Sequence, residues 1–200
     1  MKVSVRGLAA AALLAASACT LAAPPNVKGP DDAAVTMVVY SAFACPYCAQ
    51  GAKQLADLEK KYPGQLRVVF KHYPLSLGAA GLLAHQAAIA AGEQGKFWEM
   101  HDRLFAGKKD PDRTALEAIA RDLGMDVARF MAALDSARAA DEVQRDLVES
   151  KAFNVRATPT YYIDGYRLEG LQDASVFEKI IEHRVARLAA PVTAGVQPAR

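Results

Sequence analysis

Cys45 and Cys48 are the residues whose type and spacing most directly suggest chemistry in this chain. Two cysteines separated by two residues can close a disulfide within one helical turn. They can also hold a soft metal ion such as Cu(I), or they can be two small residues in the first turn of a helix. The pair follows an apolar run, residues 35–40, and opens a helical pattern that reaches about Tyr62. The surrounding chain has to decide among these three interpretations.

The N-terminus, residues 1–22, predicts a secretory signal peptide. A short basic segment precedes apolar residues 7–18, which are too few to span a bilayer. Residues 16–19 resemble a bacterial lipobox, in which Cys19 would be lipidated and would anchor the protein to a membrane. Ordinary cleavage after residue 22 or 23 is the alternative. Both patterns predict export to the periplasm.

Composition limits the classes of function. The chain is 52% hydrophobic and 23% charged, which favours a packed core over disorder. Of its 24 Lys and Arg residues, two lie in the signal segment, so the mature chain balances 22 basic against 22 acidic residues. A formally neutral protein has no basic surplus for nucleic acid.

Cysteine usage favours a chemical task for the pair. If Cys19 is removed or lipidated, Cys45 and Cys48 are the only thiols. A disulfide that closes so short a loop adds little stability, so this is not a scaffold held together by disulfides.

The predicted elements follow the order strand, helix, strand, a block of helices, hairpin and final helix. Residues 35–40 and 65–70 are apolar and β-branched, and with the helix that Pro46 opens they form a βαβ unit. Asp164-Gly165 is a hairpin turn between residues 160–163 and 166–168. The order predicts an α/β protein with a thioredoxin fold and an all-helical insertion.

The domain boundaries follow from this order. We expect a linker at residues 23–34, a thioredoxin domain at 35–188 with the insertion at about 76–152, and a disordered tail at 189–200. Within the insertion, Asp110-Pro111 and Asp126 each predict the start of a helix. A longer helix, about 137–152, is expected to turn three side chains inward: Val143, Leu147 and Val148.

Three motifs together resemble the DsbA-like thiol:disulfide oxidoreductases over about residues 35–188. They are Cys45-Pro46-Tyr47-Cys48, the stretch QGKFWEMHD at 94–102, and ATPTY at 157–161. The resemblance implies a cis Thr158–Pro159 bond that lies against the cysteine pair. It further implies that Pro46, Tyr47, Thr158 and Pro159 support the active site and contact the substrate.

The same resemblance implies that Cys45 is the nucleophile and Cys48 the resolving thiol. At the N-cap of a helix, unpaired N–H groups and the helix dipole favour a thiolate, so the pKa of Cys45 should lie below its free value. Cys48, one turn further, is expected to be more buried, and Cys45 is expected to be the exposed sulfur.

Several residues depart from the strongest oxidants of this family. Tyr47 replaces their histidine, and residues 35–44 hold no carboxylate for proton transfer. Lys71 and His72 are alternative proton shuttles, although a solvated loop is their expected position. Thr158 resembles the isomerase branch, but we expect no added dimerisation domain in the short segment before the first strand.

The function predicted from the sequence is therefore an exported oxidase that forms or exchanges disulfides in polypeptides. The alternatives are a disulfide reductase or isomerase, a copper-handling C-x-x-C binding protein, or a chaperone whose cysteines matter little. Expected partners are unfolded or partly folded proteins and a membrane redox protein that resets the pair. We expect a monomer with no cofactor, metal or nucleic acid.

The remaining conspicuous residues are expected to be structural. His85 and His101 are interpreted as packing residues, and no second C-x-x-C or H-E-x-x-H motif indicates zinc. Aromatic side chains of the insertion are assigned to its core: Phe97, Trp98 and Phe105. A charged stripe is assigned to a solvated helix face: Asp141, Glu142, Arg145, Asp146 and Glu149.

Overall fold

The computed structural model describes residues 26–107 and 109–190. The predicted signal peptide with Cys19, and all of the predicted tail beyond residue 190, lie outside the described residues. The elements, in chain order, are β1 (Val27–Lys28), β2 (Val35–Ser41), α1 (Pro46–Lys61), β3 (Leu66–His72), α2 (Ala79–Gly92), α3 (Phe97–Ala106), α4 (Arg113–Asp122), α5 (Val127–Leu134), α6 (Ala137–Ala152), β4 (Thr160–Ile163), β5 (Tyr166–Glu169) and α7 (Ala174–Ala189).

The sheet has the strand order β1-β3-β2-β4-β5, with β2 at its centre. β2 pairs in parallel with β3 and antiparallel with β4, and β4 turns into β5 through Asp164-Gly165. Both turn residues have positive φ, 45° and 84°, as a tight two-residue hairpin requires. The predicted thioredoxin fold is confirmed, and part of the expected linker forms β1 along the edge of β3.

One hydrophobic core joins the sheet to the helical insertion. It contains strand residues such as Phe70 together with Phe97 and Phe130 from the inserted helices. Helix α2 packs against α3, α5 and α6, and its buried alanines let these helices approach closely: Ala84, Ala87, Ala88, Ala90 and Ala91. The insertion is therefore fixed against the sheet, and side chains on its helices can reach the strands.

Helix starts follow local capping rules, with one correction. Asp126 caps α5 and Asp173 caps α7, as predicted. The predicted start of α4 at Asp110-Pro111 is wrong, because the side chain of Asp112 accepts the capping bond from the backbone N–H of Ala115 at 2.8 Å. Asp110 instead adopts a positive φ of 51° ahead of the proline.

Side chains on α6 also differ from expectation. Val143 is buried, but Val148 is exposed, so its predicted inward orientation is wrong. Asp146, assigned to a solvated face, is buried. Within residues 26–107 and 109–190, no helix combines the length and apolarity needed to cross a membrane.

Candidate active site

The cysteine pair lies where β2 leads into α1. Cys45 is the N-cap of α1, with extended backbone angles (φ −89°, ψ 120°), and Pro46 occupies the first turn. The backbone N–H groups of Cys48 and Ala49 both donate to the Cys45 carbonyl, at 3.1 and 3.2 Å. The Cys45 sulfur therefore lies at the positive end of the helix dipole, which favours a thiolate.

Both cysteines are free thiols, and both are largely covered. Cys45 is 6% exposed and Cys48 is 2% exposed, so the predicted order of burial is correct. The expectation of an openly exposed Cys45 is wrong, because Phe105 of α3 packs against the pair and the segment before β4 lies over it. Pro46 and Tyr47 remain at the surface, and Tyr47 is 57% exposed.

The segment before β4 brings Thr158 and Pro159 to the cysteines. The Thr158–Pro159 peptide bond is cis, as predicted, and the Cys45 sulfur lies 3.5 Å from the Thr158 carbonyl oxygen. Two further hydrogen bonds hold this segment in place. The Gly170 N–H donates to the Pro159 carbonyl at 2.7 Å, and the Thr160 hydroxyl donates to the Ala157 carbonyl at 2.7 Å.

The environment separates the acidities of the two thiols. Burial opposes ionisation of Cys45, but hydrogen bonds from the Thr158 side chain and from the backbone of Cys48 and Tyr47 outweigh it, so the pKa of Cys45 is lowered. Burial dominates at Cys48 and raises its pKa to about 11, even though the Ala42 N–H donates to its sulfur at 3.5 Å. Ionisation is therefore directed to Cys45, and Cys48 keeps its proton at neutral pH.

The two residues considered as proton shuttles lie elsewhere. Lys71 and His72 belong to β3, which continues past its predicted end and pairs with the last residues of β2. The Lys71 ammonium donates to Asp146 at 3.0 Å and to Glu149 at 2.8 Å. Neither residue is in a solvated loop, and this expectation is wrong.

His72 is fully buried against another histidine. The Nδ1 atoms of His72 and His85 lie 2.9 Å apart, so one ring donates to the other. Burial lowers the pKa of His72, and it lowers the pKa of His85 to about 3, which keeps both rings neutral. The pair packs beside Phe43 and Phe97 and shares no hydrogen bond with the cysteines among the described residues.

Sequence reasoning missed a small cavity behind Cys48. Val39 and Ser41 of β2 line it, together with three residues from later elements: Trp98 and His101 of α3, and Tyr161 of β4. At this cavity, the β2 residue Val39 contributes an apolar side chain and no carboxylate. The motif QGKFWEMHD contains two of the lining residues, and it is the sequence signal from which this cavity could have been predicted.

Comparison with known proteins agrees with this geometry. Residues 23–183 match the sequence model of the family described as Thioredoxin. The chain belongs to the thioredoxin family. Among the residues that the structure describes, no cluster of three or more His, Cys, Asp or Glu side chains is placed to hold a metal ion.

Solved structures share the fold of this thioredoxin-family protein. A thioredoxin-like oxidoreductase from Silicibacter pomeroyi superposes with a TM-score of 0.72 at 24% identity, covering 82% of this chain and 92% of that one. The thiol-disulfide exchange protein alpha-DsbA2 from Wolbachia pipientis gives 0.71 at 19%, covering 78% and 85%. BdbD from Bacillus subtilis gives 0.71 at 23%, covering 80% and 92%. The resemblance to DsbA-like proteins is thus confirmed at the level of fold.

Curated relatives of this thioredoxin-family protein are much longer than the chain. It is 38% identical over 157 residues to a protein named Na(+)/H(+) antiporter NhaA from Herminiimonas arsenicoxydans, covering 78% of this chain and 25% of that protein. It is 37% identical over 146 residues to Na(+)/H(+) antiporter NhaA 3 from Salinispora tropica, covering 72% and 22%. The chain spans about a quarter of the length of these relatives.

Proposed function

We propose that this protein is an exported thiol:disulfide oxidoreductase that forms disulfides in polypeptides through Cys45 and Cys48. The observation that carries the proposal is the difference in pKa between the two thiols. Cys45 sits at a helix N-terminus with a lowered pKa, and Cys48 behind it has a raised one. An ionised outer sulfur and a protonated inner sulfur are what stepwise disulfide exchange requires.

In the oxidising direction, a substrate thiolate attacks the Cys45 sulfur of the Cys45–Cys48 disulfide. A bond forms between the substrate sulfur and Cys45, the Cys45–Cys48 bond breaks, and Cys48 leaves with the electron pair and takes up a proton. A second substrate thiolate then attacks the substrate sulfur of this mixed disulfide. The substrate disulfide forms, and Cys45 leaves as a thiolate, which its low pKa stabilises.

The surface near Cys45 suits a polypeptide. Tyr47 is exposed beside the pair, and Leu75, also exposed, lines a groove with Phe43 and Ala44 just before Cys45. Exposed apolar side chains of this kind bind the apolar segments of incompletely folded chains. Thr158 and Pro159 would contact the substrate backbone next to its reacting cysteine.

The remaining parts of the proposal concern the cellular setting. A monomer in the periplasm, free or anchored through Cys19, would meet secreted polypeptides as substrates. A membrane redox protein would return Cys45 and Cys48 to the disulfide state. The relatives named antiporters match over only about a quarter of their length, so their transport activity is not part of this proposal.

The reduction potential of the Cys45–Cys48 pair tests the direction of the reaction. Equilibration of the chain without residues 1–22 in glutathione buffers should give a potential near about −120 mV, as in strong oxidants. A value near about −270 mV would instead identify a reductase.

Substitution of Cys45 tests the site. Cys45→Ser should abolish oxidation of a reduced, unfolded polypeptide. Exchange that persists in this variant would show that Cys45 is not the nucleophile. Tight stoichiometric Cu(I) binding without exchange activity would favour the metal-handling alternative.

A further inference from the structure

The cavity behind Cys48 has room for about one water molecule. Its volume is roughly 10 Å³, at the lower end of the 10–15 Å³ that a cavity needs to hold a single water. Its walls come from β2, α1, β3, α3 and β4, and Cys48 of α1 is one of the lining residues. A water at this position would adjoin a thiol whose proton must leave and return during exchange.

Two of the lining residues carry a buried polar atom without a partner among the described residues. The Tyr161 hydroxyl is fully buried, and it has no hydrogen-bond partner among the described residues. The same holds for the indole nitrogen Nε1 of Trp98, also within the described part of the chain. Buried donors without partners are rare in folded proteins, and both of these belong to residues that line the same small cavity.

His101 connects the cavity to solvent. Its ring lines the cavity and is almost completely buried, while its Nδ1 lies 2.8 Å from the Asp102 carboxylate. The Asp102 side chain is 74% exposed. Because a carboxylate only accepts, Nδ1 carries the ring proton, and Nε2 is left as the acceptor of the ring.

We propose that His101, acting through one water held by the Tyr161 hydroxyl, is the route by which the Cys48 thiol loses and regains its proton. The inference rests on the proposed function and adds the group that replaces a strand carboxylate in it. His101 and Tyr161 act through the water and are positioning and relay residues. Cys45 and Cys48 remain the reacting groups.

The relay works in both directions of exchange. When Cys48 resolves a mixed disulfide on Cys45, its proton passes through the water to His101 Nε2. The Cys48 sulfur then attacks Cys45, the Cys45–Cys48 bond forms, and the bond between Cys45 and the substrate sulfur breaks, with the electron pair leaving on the substrate thiolate. In the oxidising direction Cys48 leaves as a thiolate and recovers its proton along the same path.

The two relay residues have different tasks. Burial raises the pKa of Tyr161, and the neighbouring charges of Cys48 and Cys45 raise it further, so its hydroxyl stays protonated and donates a hydrogen bond. Burial lowers the pKa of His101, although Asp102 opposes this effect, so the ring is neutral and free to accept a proton. The charged groups that act on His101 from packed elements are Asp102 on α3, Lys28 on β1 and Glu59 on α1.

A single-turnover experiment separates the relay from the rest of the reaction. Reduced protein is mixed with oxidised glutathione, acid-quenched at intervals and analysed by mass spectrometry. The method resolves attack by Cys45 from release of glutathione by Cys48. In His101→Gln, release at neutral pH should slow by about a hundredfold, a typical contribution of general base catalysis, while attack by Cys45 is unchanged. In Tyr161→Phe, release should slow by about tenfold, the effect of one hydrogen bond to a charged group.

The pH profile distinguishes a relay from a packing role. Both deficits should shrink as the pH approaches the Cys48 pKa of about 11, because the thiol then ionises without help. His183→Gln on α7 and Tyr166→Phe on β5 remove the same groups from exposed positions and should match the unmodified protein. Phe preserves the shape of Tyr, so Tyr161→Phe gives a result even where His101→Gln does not fold.

Two outcomes would overturn the relay. One is release within twofold of the unmodified rate in a folded His101→Gln variant, or in Tyr161→Phe. The other is equal slowing of attack and release at every pH, which indicates disturbed packing. If the unmodified protein forms no mixed disulfide at all, the proposed function fails, and this result is distinct from normal exchange with an unaffected release step.

Discussion

Removal of the Thr158 hydroxyl should make the Cys45 thiolate less stable. Among the hydrogen-bonding groups that lower the pKa of Cys45, the Thr158 side chain has the largest effect. Thr158→Val deletes this donor and keeps the shape of the side chain. The carbonyl of Thr158, which lies 3.5 Å from the Cys45 sulfur, stays in place because the backbone is unchanged.

The magnitude follows from the strength of one charge-assisted hydrogen bond. Such a bond contributes about 1.5–3 kcal/mol, and Thr158 is only half-buried, so the lower end of the range applies. About 1.5 kcal/mol corresponds to a rise of about one unit in the Cys45 pKa. It also lowers the reduction potential of the pair by about 30 mV, because the reduced form loses that stabilisation.

The assay combines two titrations of the same variant. The ultraviolet absorbance of the thiolate against pH gives the Cys45 pKa, and equilibration with glutathione gives the potential. The fall in potential should be complete at a pH above the Cys45 pKa of both the variant and the unmodified protein. It should disappear at a pH below the Cys45 pKa of the unmodified protein, because Cys45 is then a protonated thiol in both proteins. Thr158→Ser should restore both values, and Thr36→Val, at an exposed position of β2, should change neither.

The result that would refute this reasoning is a Cys45 pKa in Thr158→Val within about 0.3 units of the unmodified value. The helix N-terminus alone would then account for the acidity of Cys45.

Three further predictions concern stability and the resolving step. Lys71→Met should cost about 3 kcal/mol at neutral pH, because it leaves the buried Asp146 carboxylate without its cation. Burial already raises the pKa of Asp146, and the loss of Lys71 raises it further. The folded variant therefore binds more protons, and its deficit in urea unfolding should shrink as the pH falls through that pKa; a deficit that grows on acidification would contradict this. Gly51→Ala should destabilise by about 1–3 kcal/mol in thermal unfolding, since the new Cβ would overlap the Tyr161 hydroxyl, and an unchanged melting temperature would show that Tyr161 moves freely. Cys48→Ser should accumulate a stable mixed disulfide on Cys45, visible by mass spectrometry, and rapid release from this variant would mean that another group resolves it.

The sequence predicted the features that local rules determine. Cys45 at the N-cap, Pro46 in the first turn and the Asp164-Gly165 hairpin each depend on residues within a few positions of one another. Residue type and spacing carry the whole physical cause in such cases, so the positions agree with the structure. The motif at 157–161 added the expected contact with Cys45 through resemblance.

The errors arose where distant segments meet. Lys71 and His72 directly follow the apolar run that predicts the second strand, so the sequence predicts a solvated loop for them. Asp146, from a helix far along the chain, accepts from the Lys71 ammonium and from the His72 backbone N–H at 2.8 Å. Local patterns do not show this compensation between distant residues, and the same contacts explain why Asp146 is buried although a solvated face is predicted for it.

The cavity and the cover over Cys45 escaped prediction for a related reason. Tyr161 and His101 look like core residues in a strand and a helix, and core positions are what their local patterns indicate. Their shared polar neighbourhood exists only because α3 and β4 converge behind Cys48. Only the packed chain shows that two ordinary packing residues line the path to a thiol.

The sheet topology has a consequence for folding. β2 pairs first in sequence with β3, but its other neighbour, β4, follows the five inserted helices, so that Met37 must find Ile163. Such non-local pairing is slow compared with formation of α1. A chain that emerges from its N-terminus therefore exposes Cys45 and an open edge of β2 before Thr158 arrives to cover them. At this stage the partly folded protein can react with thiols of other proteins, and the open edge of β2 can pair with strands of other chains. Rapid pairing of β4 with β2 therefore protects it.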